Sequence, residues 1–334
     1  MQKLIIKGNK ELSGKISISG SKNATLPILA ATILAKHVTL KNIPLVKDIF
    51  TMIELLNFIG LKTKILKKKN IIKIKNSEKK INTLAPYKLV KTMRAGVLVL
   101  GPLLTKYGHA KISLPGGCAI GSRPVDLHLF ALKKLGAKIK IKDGYITAEA
   151  KRGLKGAVIK FPTVSVGATE NALLAAVKAK GTTILKNCAI EPEIKDLIIF
   201  LKKLGSTIKL KGRKIIIKQN EIKNSKIVHN IIFDRIELGT YMIASALVAN
   251  KNLTINKIDP KMIKTEIDVL KKIGVQITKK KSSVIIKKSK KLKKIKIITR
   301  PYPGFPTDLQ AQLMVLLTQA NGISKIREDI FENR

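Results

Sequence analysis

A single stretch, Ser113 to Leu127, concentrates the residue types that could do chemistry. It reads S-L-P-G-G-C-A-I-G-S-R-P-V-D-L and sets the thiol of Cys118 between the pair Gly116-Gly117 and Gly121, with Arg123 and Asp126 close behind. Glycine tolerates positive φ and proline lacks an N–H donor, so Pro115 and the glycines predict a loop able to close over a ligand. A cysteine's ordinary pKa of about 8.5 falls beside a cation, so Arg123 would favour a reactive thiolate or acid at the loop tip. The plain alternative is a small apolar thiol packed under a turn.

Other candidates recur where a helix begins. Gly20-Ser21-Lys22-Asn23 ends a short strand expected over 15–19 and opens a helix, where free N–H groups and Lys22 suit an anion. Arg94 begins a helix in K-T-M-R-A-G, and Pro162 to Gly167 form a turn with hydroxyls and N–H groups ahead of another. Asp234-Arg235 and the run Pro303 to Asp308 hold the same place further on. An aspartate there is often only an N-cap, and that reading stands for Asp308.

These helix starts belong to a repeat. A leucine-bearing helix end, a glycine and an alternating strand occur at Leu55, Ala131, Phe200 and Val269, with glycines at 60, 136, 205 and 274. Glycine there fits the left-handed residue that ends a helix. Before each copy lies an Ala/Leu-rich helix running into a short strand, and a fifth such helix begins at Asp308. Those helices have almost no polar face, which predicts burial on nearly all sides, with helices inside and sheets outside. The fifth unit has no second helix, so by its own repeat count the second half is expected to be incomplete.

Bulk properties narrow the class. At 334 residues, two domains are expected. The longest apolar runs are too short to span a bilayer, and the N-terminus lacks an apolar leader, so a cytoplasmic protein without a membrane partner is expected. The net charge of +45 invites a nucleic-acid reading, but only 8 of the 66 basic residues are arginine, and the lysines are spread along the chain. That distribution predicts a solvated basic surface and no nucleic-acid partner. Two cysteines make no disulfide framework, and Cys188 reads as core. His37, His109, His128 and His229 lack ligand spacing, so neither metal nor cofactor is expected.

The motifs S-G-S-K-N-A, M-R-A, L-P-G-G-C-x-I-G-x-R-P-V-D-L-H, S-V-G-A-T, E-P-E-I, D-R-I-E-x-G-T, F-P-T-D-x-Q-A-Q and F-E-N-R occur in order along the whole chain. Together they resemble the UDP-N-acetylglucosamine 1-carboxyvinyltransferases, a branch of the EPSP synthase-like superfamily. The sister family, 5-enolpyruvylshikimate-3-phosphate synthase, has a similar Gly-Ser-Lys start without the cysteine loop. The resemblance implies a mixed α/β (α+β) fold: a two-domain inside-out α/β barrel, or α/β prism, of βαβαββ units. One domain would be residues 22–232, carrying the cysteine lid; the other would be 1–21 plus 233–334, truncated in its fifth unit and lacking the sixth.

The resemblance also implies transfer of the enolpyruvyl group of phosphoenolpyruvate to the 3′-hydroxyl of UDP-N-acetylglucosamine, the opening step of peptidoglycan synthesis. Lys22, Asn23 and Arg123 would hold phosphoenolpyruvate. Arg94, Arg123, Pro124, Val125, Asp126, Leu127, Thr163, Val164, Ser165, Val166, Asp308 and Ile330 would contact the UDP-sugar. Asp308 would take the hydroxyl proton, Cys118 would protonate carbon, and Lys22 would stabilise the phosphate-bearing intermediate. The alternatives are an inactive remnant that binds only UDP-sugar, a 5-enolpyruvylshikimate-3-phosphate synthase-type transferase or, from composition, a nucleic-acid binder. A separate chain carrying the C-terminal remainder is a further possible partner.

Overall fold

A computed structural model describes residues 3–8, 12–77, 81–115, 125–219, 226–287, 289 and 291–331. The elements fall into repeats. The first comprises β1 (Leu12–Ser17), α1 (Lys22–Ala31), β2 (His37–Lys41), α2 (Lys47–Ile59), β3 (Lys62–Leu66) and β4 (Ile71–Lys75). The second comprises β5 (Leu84–Ala85), α3 (Tyr87–Val90), a 3-10 stretch Arg94–Val99, α4 (Leu100–Tyr107), β6 (His109–Ser113), α5 (Asp126–Lys134), β7 (Lys138–Lys142) and β8 (Tyr145–Glu149). The third comprises β9 (Val158–Lys160), α6 (Val166–Ala176), β10 (Thr182–Lys186), α7 (Pro192–Lys203), β11 (Thr207–Lys211) and β12 (Lys214–Lys218). The fourth comprises β13 (Lys226–Asn230), α8 (Arg235–Val248), β14 (Ala249–Asn256), α9 (Lys264–Ile273), β15 (Gln276–Lys279) and β16 (Ser283–Lys287). Then follow β17 (Lys296–Ile298), a 3-10 turn Thr307–Leu309, α10 (Gln310–Leu317) and β18 (Lys325–Arg327). The strand expected over 15–19 therefore begins earlier and ends at Ser17.

Contacts divide the chain into two compact units, one of residues 20–232 and one built from the chain up to Ser19 and from Phe233 onward. Each four-stranded sheet joins one parallel pair to two antiparallel ones. The second and third repeats keep their strands to themselves, in the orders β5-β6-β8-β7 and β11-β12-β10-β9. The first and fourth repeats exchange their leading strands. β1 pairs in parallel with β14, Ile16 opposite Ile255, while β13 pairs in parallel with β2, Val228 opposite Thr39.

In the unit of residues 20–232 the helices form the core. Every residue of α1 from Ala24 to Ala31 is buried, as is every residue of α6 from Ala168 to Ala176. Small residues allow this packing. A Cβ on Gly101 would lie 2.5 Å from Asn171 Oδ1 and 3.2 Å from the Ala175 backbone nitrogen. The sheets alternate, with isoleucines inward and lysines outward, as in Lys214–Lys218 of β12. The helix-ending glycines have positive φ: 115° at Gly60, 94° at Gly136, 104° at Gly205 and 103° at Gly274.

The unit containing Phe233 has its own core, including Leu238, Met242, Ile255, Ile267, Leu270 and Leu313. Here one expectation fails. The sequence of α10 predicts a helix buried on nearly all sides, yet Met314 and Val315 are 50% and 58% exposed. Among the described residues α10 packs on α8 and the turn before it through Leu313, Leu316 and Leu317, which leaves its other side open.

Candidate active site

The start of α1 is built by close backbone approach. A Cβ on Gly20 would lie 1.6 Å from the carbonyl oxygen of Asn42, so no other residue fits. Asn42 has φ of 58° and donates from Nδ2 to Ile231 O at 3.0 Å, while Ser21 N donates to Ile232 O at 2.8 Å. Ser21 caps the helix, its hydroxyl accepting from Ala24 N at 3.3 Å. Lys22 and Asn23 thus open α1 with the helix dipole's positive end beside them. Lys22 Nζ lies 3.3 Å from Asp48 Oδ2, both side chains well exposed, an ion pair of small net strength.

The starts of α5 and α6 meet at His128. Val125 is buried before α5, Asp126 is its exposed first residue, and Leu127 is half-buried. At α6, Thr163 and Val166 are exposed and Val164 and Ser165 half-buried; Ser165 Oγ accepts from Ala168 N at 3.3 Å. His128 is buried, and its Nδ1 is 3.1 Å from Nδ2 of the fully buried Asn171. Asn171 also accepts from Gly101 N at 2.8 Å and donates to Val97 O at 3.1 Å, tying α6 to the stretch that begins at Arg94. Burial, and then the Arg94 guanidinium, lower the His128 pKa from 6.5 to about 4. The structure therefore packs α5 against α6, with Arg94 close enough to act on His128 and with Gly167 beside the His128 ring. His128 follows directly on R-P-V-D-L, and that adjacency is the only sequence signal for it.

Next to Asn171, Glu170 is buried and held protonated well above the usual carboxylate range, by burial first and then by Glu193 and Glu191. At the end of β13, His229 Nε2 and Asp196 Oδ1 are 3.0 Å apart, and Asp196 Oδ2 accepts from Ile232 N at 3.3 Å. This pair fixes the backbone where the chain leaves the unit.

Asp308 and Ile330 lie in the other unit. Pro306 occupies the N-cap position of the turn Thr307–Leu309, so Asp308 falls inside the turn and does not cap it. Asp234 does cap: its Oδ1 accepts from Ile236 N at 2.8 Å and Glu237 N at 3.0 Å. Ile330 N donates to Glu328 Oε1 at 2.7 Å, and Phe331 N donates to the same oxygen at 3.0 Å. Partial burial works to raise the Glu328 pKa, but hydrogen bonds from Thr299, Ile330 N and Phe331 N outweigh it and lower it. Glu328 had no sequence signal as the residue that shapes the backbone at Ile330. Arg235 Nη1 is 3.5 Å from Oε1 of buried Glu266 and stacks over the Tyr302 ring at 5.7 Å, a local structural cluster.

Cys118, Arg123 and Pro124 lie outside the described residues. Cys188 is buried; burial pushes its thiol up to about 12, against smaller lowering effects of the Ile215 backbone and Arg213. It is no nucleophile at neutral pH. Among the described residues no group of three His, Cys, Asp or Glu side chains is arranged to hold a metal ion, and no helix is long and apolar enough to cross a membrane. A groove of about 430 Å³ lies on the outer face of the β13-β2-β4-β3 sheet, lined by Lys62, Lys64, Lys73 and Lys75 among others, and none of its lining residues is a candidate.

Residues 6–334 match the family EPSP synthase (3-phosphoshikimate 1-carboxyvinyltransferase). The whole chain is 58% identical over 335 residues to UDP-N-acetylglucosamine 1-carboxyvinyltransferase of Pelagibacter ubique and 49% identical to that of Endomicrobium trichonymphae, spanning 79% of each. Among solved structures, the enolpyruvyl transferase NikO from Streptomyces tendae superposes with a TM-score of 0.88 at 23% identity, over 98% of this chain and 77% of that one. EPSP synthase from Acinetobacter baumannii superposes with a TM-score of 0.74 at 18% identity, over 96% of this chain and 75% of that one. The repeated βαβαββ architecture is thus the mixed α/β inside-out fold of enolpyruvyl transferases. The chain belongs to the EPSP synthase family and, within it, to the UDP-N-acetylglucosamine 1-carboxyvinyltransferases.

Proposed function

We propose that this chain transfers the enolpyruvyl group of phosphoenolpyruvate to the 3′-hydroxyl of UDP-N-acetylglucosamine and releases phosphate. The observation that carries this reading is the 58% identity along the entire chain to a relative of that name, with the motif set intact. Asp308 removes the hydroxyl proton, the oxygen bonds to C2 of phosphoenolpyruvate, and Cys118 delivers a proton to C3. The tetrahedral intermediate then loses the C3 proton and phosphate, which restores the double bond in the product. General acid–base help of this kind contributes about 10²–10⁴-fold for each group.

Lys22, Asn23 and Arg123 hold phosphoenolpyruvate in this reading. The exposed Lys22–Asp48 pair supports it, because a weak surface ion pair gives way readily to a phosphate. Arg94, Arg123, Pro124, Val125, Asp126, Leu127, Thr163, Val164, Ser165, Val166, Asp308 and Ile330 contact the UDP-sugar. Asp308 lies within the turn Thr307–Leu309, behind Pro306 at the N-cap position, a place compatible with a chemical role. The residues divide by domain, 22–232 against 1–21 with 233–334. The reaction is cytoplasmic and engages neither nucleic acid nor membrane. Turnover of Cys118→Ala and Asp308→Asn tests the roles: each falls by 100-fold or more on the general-acid–base scale of about 10²–10⁴. Full activity in either variant removes that residue from the mechanism.

A further inference from the structure

The buried His229–Asp196 pair connects to the start of α1 through one residue, Ile232. Asp196 and Phe200 are four residues apart on α7, so they share one face of that helix. His229 on β13 meets both: its Nε2 is 3.0 Å from Asp196 Oδ1, and its ring stands edge-on to Phe200 at 5.5 Å. The two side chains are only 2% and 3% exposed. The carboxylate oxygen accepts, so Nε2 carries a proton, while Nδ1 is buried with no hydrogen-bond partner among the described residues. The ring therefore has one polar task, which is to hold Asp196 Oδ1.

Asp196 Oδ2 accepts from Ile232 N at 3.3 Å, and Ile232 O accepts from Ser21 N at 2.8 Å. Ser21 is the N-cap of α1, and Lys22 and Asn23 are its first two helical residues. The neighbouring residue is fixed as well. Ile231 N donates to Lys41 O at 3.0 Å, and Asn42 Nδ2 donates to Ile231 O at 3.0 Å. A Cβ on Gly20 would lie 1.6 Å from Asn42 O, so this corner has no slack to absorb a displacement of Ile232. Loss of the His229 donor leaves Asp196 Oδ1 buried and unsatisfied, and the carboxylate then turns or draws in water. Ile232 moves with it, and so does the cap of α1.

We infer that His229 and Asp196 are positioning residues for phosphoenolpyruvate: through Ile232 they set the cap of α1 and with it the placement of Lys22 and Asn23. This rests on the substrate reading proposed above. Their effect falls on the phosphoenolpyruvate side, because Arg94, Asp126 and Val166 begin other elements.

Two substitutions separate this role from a purely structural one. His229→Leu removes the donor, and His229→Gln puts an amide N–H near the place of Nε2. A misplacement of about 1 Å costs up to about 100-fold in a positioned site, and a fraction of that shift predicts a KM for phosphoenolpyruvate about 10-fold higher in His229→Leu. The KM for UDP-N-acetylglucosamine stays within about twofold of wild type, and His229→Gln returns the phosphoenolpyruvate value to within about threefold. A merely structural role lowers the active fraction, and with it kcat, without separating the two KM values. Amide hydrogen exchange in the full chain reads the connection without any substrate: in His229→Leu the Ser21 and Ile232 N–H groups exchange about 10-fold faster, with the amides of α6 unchanged. Nitrogen–proton correlation spectra of the wild-type protein show the proton on His229 Nε2, a readout that needs no variant to fold. A wild-type KM for phosphoenolpyruvate in His229→Leu, equal shifts in both KM values, a Gln variant as weak as Leu, unchanged exchange at Ser21 and Ile232, or a proton on Nδ1 alone overturns the inference. Wild-type protein that turns over neither substrate, while the exchange result holds, overturns the substrate reading and leaves the connection from His229 to Ser21 standing.

Discussion

Burial of neutral His128 makes stability depend on pH with a calculable slope. In the unfolded chain His128 titrates near 6.5, whereas in the folded chain burial and Arg94 lower it to about 4. Below pH 6.5 the unfolded chain takes up a proton that the folded chain refuses, so stability falls as pH drops through that window and levels off below about 4. Each pH unit inside the window removes about 1.4 kcal/mol, and integration from pH 7 to pH 5 gives a loss of about 2 kcal/mol from this residue. Glu170 works in the opposite direction: its carboxyl is raised, so the folded state keeps a proton that the unfolded state releases above 4.5. That contribution is common to wild type and variant and cancels in their difference. Urea unfolding followed by circular dichroism at several pH values, on wild type and His128→Gln, isolates the histidine. The variant has a pH-independent offset, because it loses an Asn171 hydrogen bond, but its acid limb is shallower by about 2 kcal/mol between pH 7 and pH 5. Parallel curves would refute the neutral, buried His128.

Two further perturbations test the scaffold. Gly20→Ala places a methyl 1.6 Å from the Asn42 carbonyl oxygen and forces the strand end and α1 apart. A destabilisation of about 3 kcal/mol, at the upper end for overpacking, is expected in thermal unfolding. Phosphate release falls by about 100-fold as Lys22 and Asn23 shift, and an unchanged melting temperature with full activity contradicts the steric reading. Iodoacetamide at mildly alkaline pH leaves Cys188 unmodified in the native protein, because burial keeps the thiol protonated up to about 12. Peptide mass mapping shows the label on Cys188 only after unfolding; native labelling there would contradict its place in the core.

Much of the fold is written locally. The four glycines that end helices all take positive φ, as a residue without Cβ allows, and the apolar runs of α1 and α6 are buried along their length. The exchange of β1 and β13 is not legible in this way. Ile16 pairs with Ile255 and Val228 with Thr39, and no local pattern encodes partners so far apart. The open side of α10 is hidden for the same reason, since its composition equals that of the buried helices and only its neighbours differ.

The candidate site shows a similar division. Ser21, Ser165 and the helix starts they cap follow from residue type, because short hydroxyl side chains satisfy free N–H groups. Asn171 and Glu328 lie inside or after ordinary-looking segments. Asn171 matters because tertiary packing delivers Gly101, Val97 and His128 to it, whereas Glu328 holds Ile330, two residues on, through a local hydrogen bond. At Asp308 the sequence leaves two readings of one residue, a cap and a base, and the structure adds that Pro306 stands at the N-cap position of its turn.

The most direct test of the enolpyruvyl-transfer assignment is phosphate release by this 334-residue chain when given UDP-N-acetylglucosamine and phosphoenolpyruvate together. The account predicts release that needs both substrates, yields the 3′-enolpyruvyl ether of the sugar nucleotide, and is lost in Cys118→Ala. Release without the sugar nucleotide, or none while the chain binds both substrates, would contradict it.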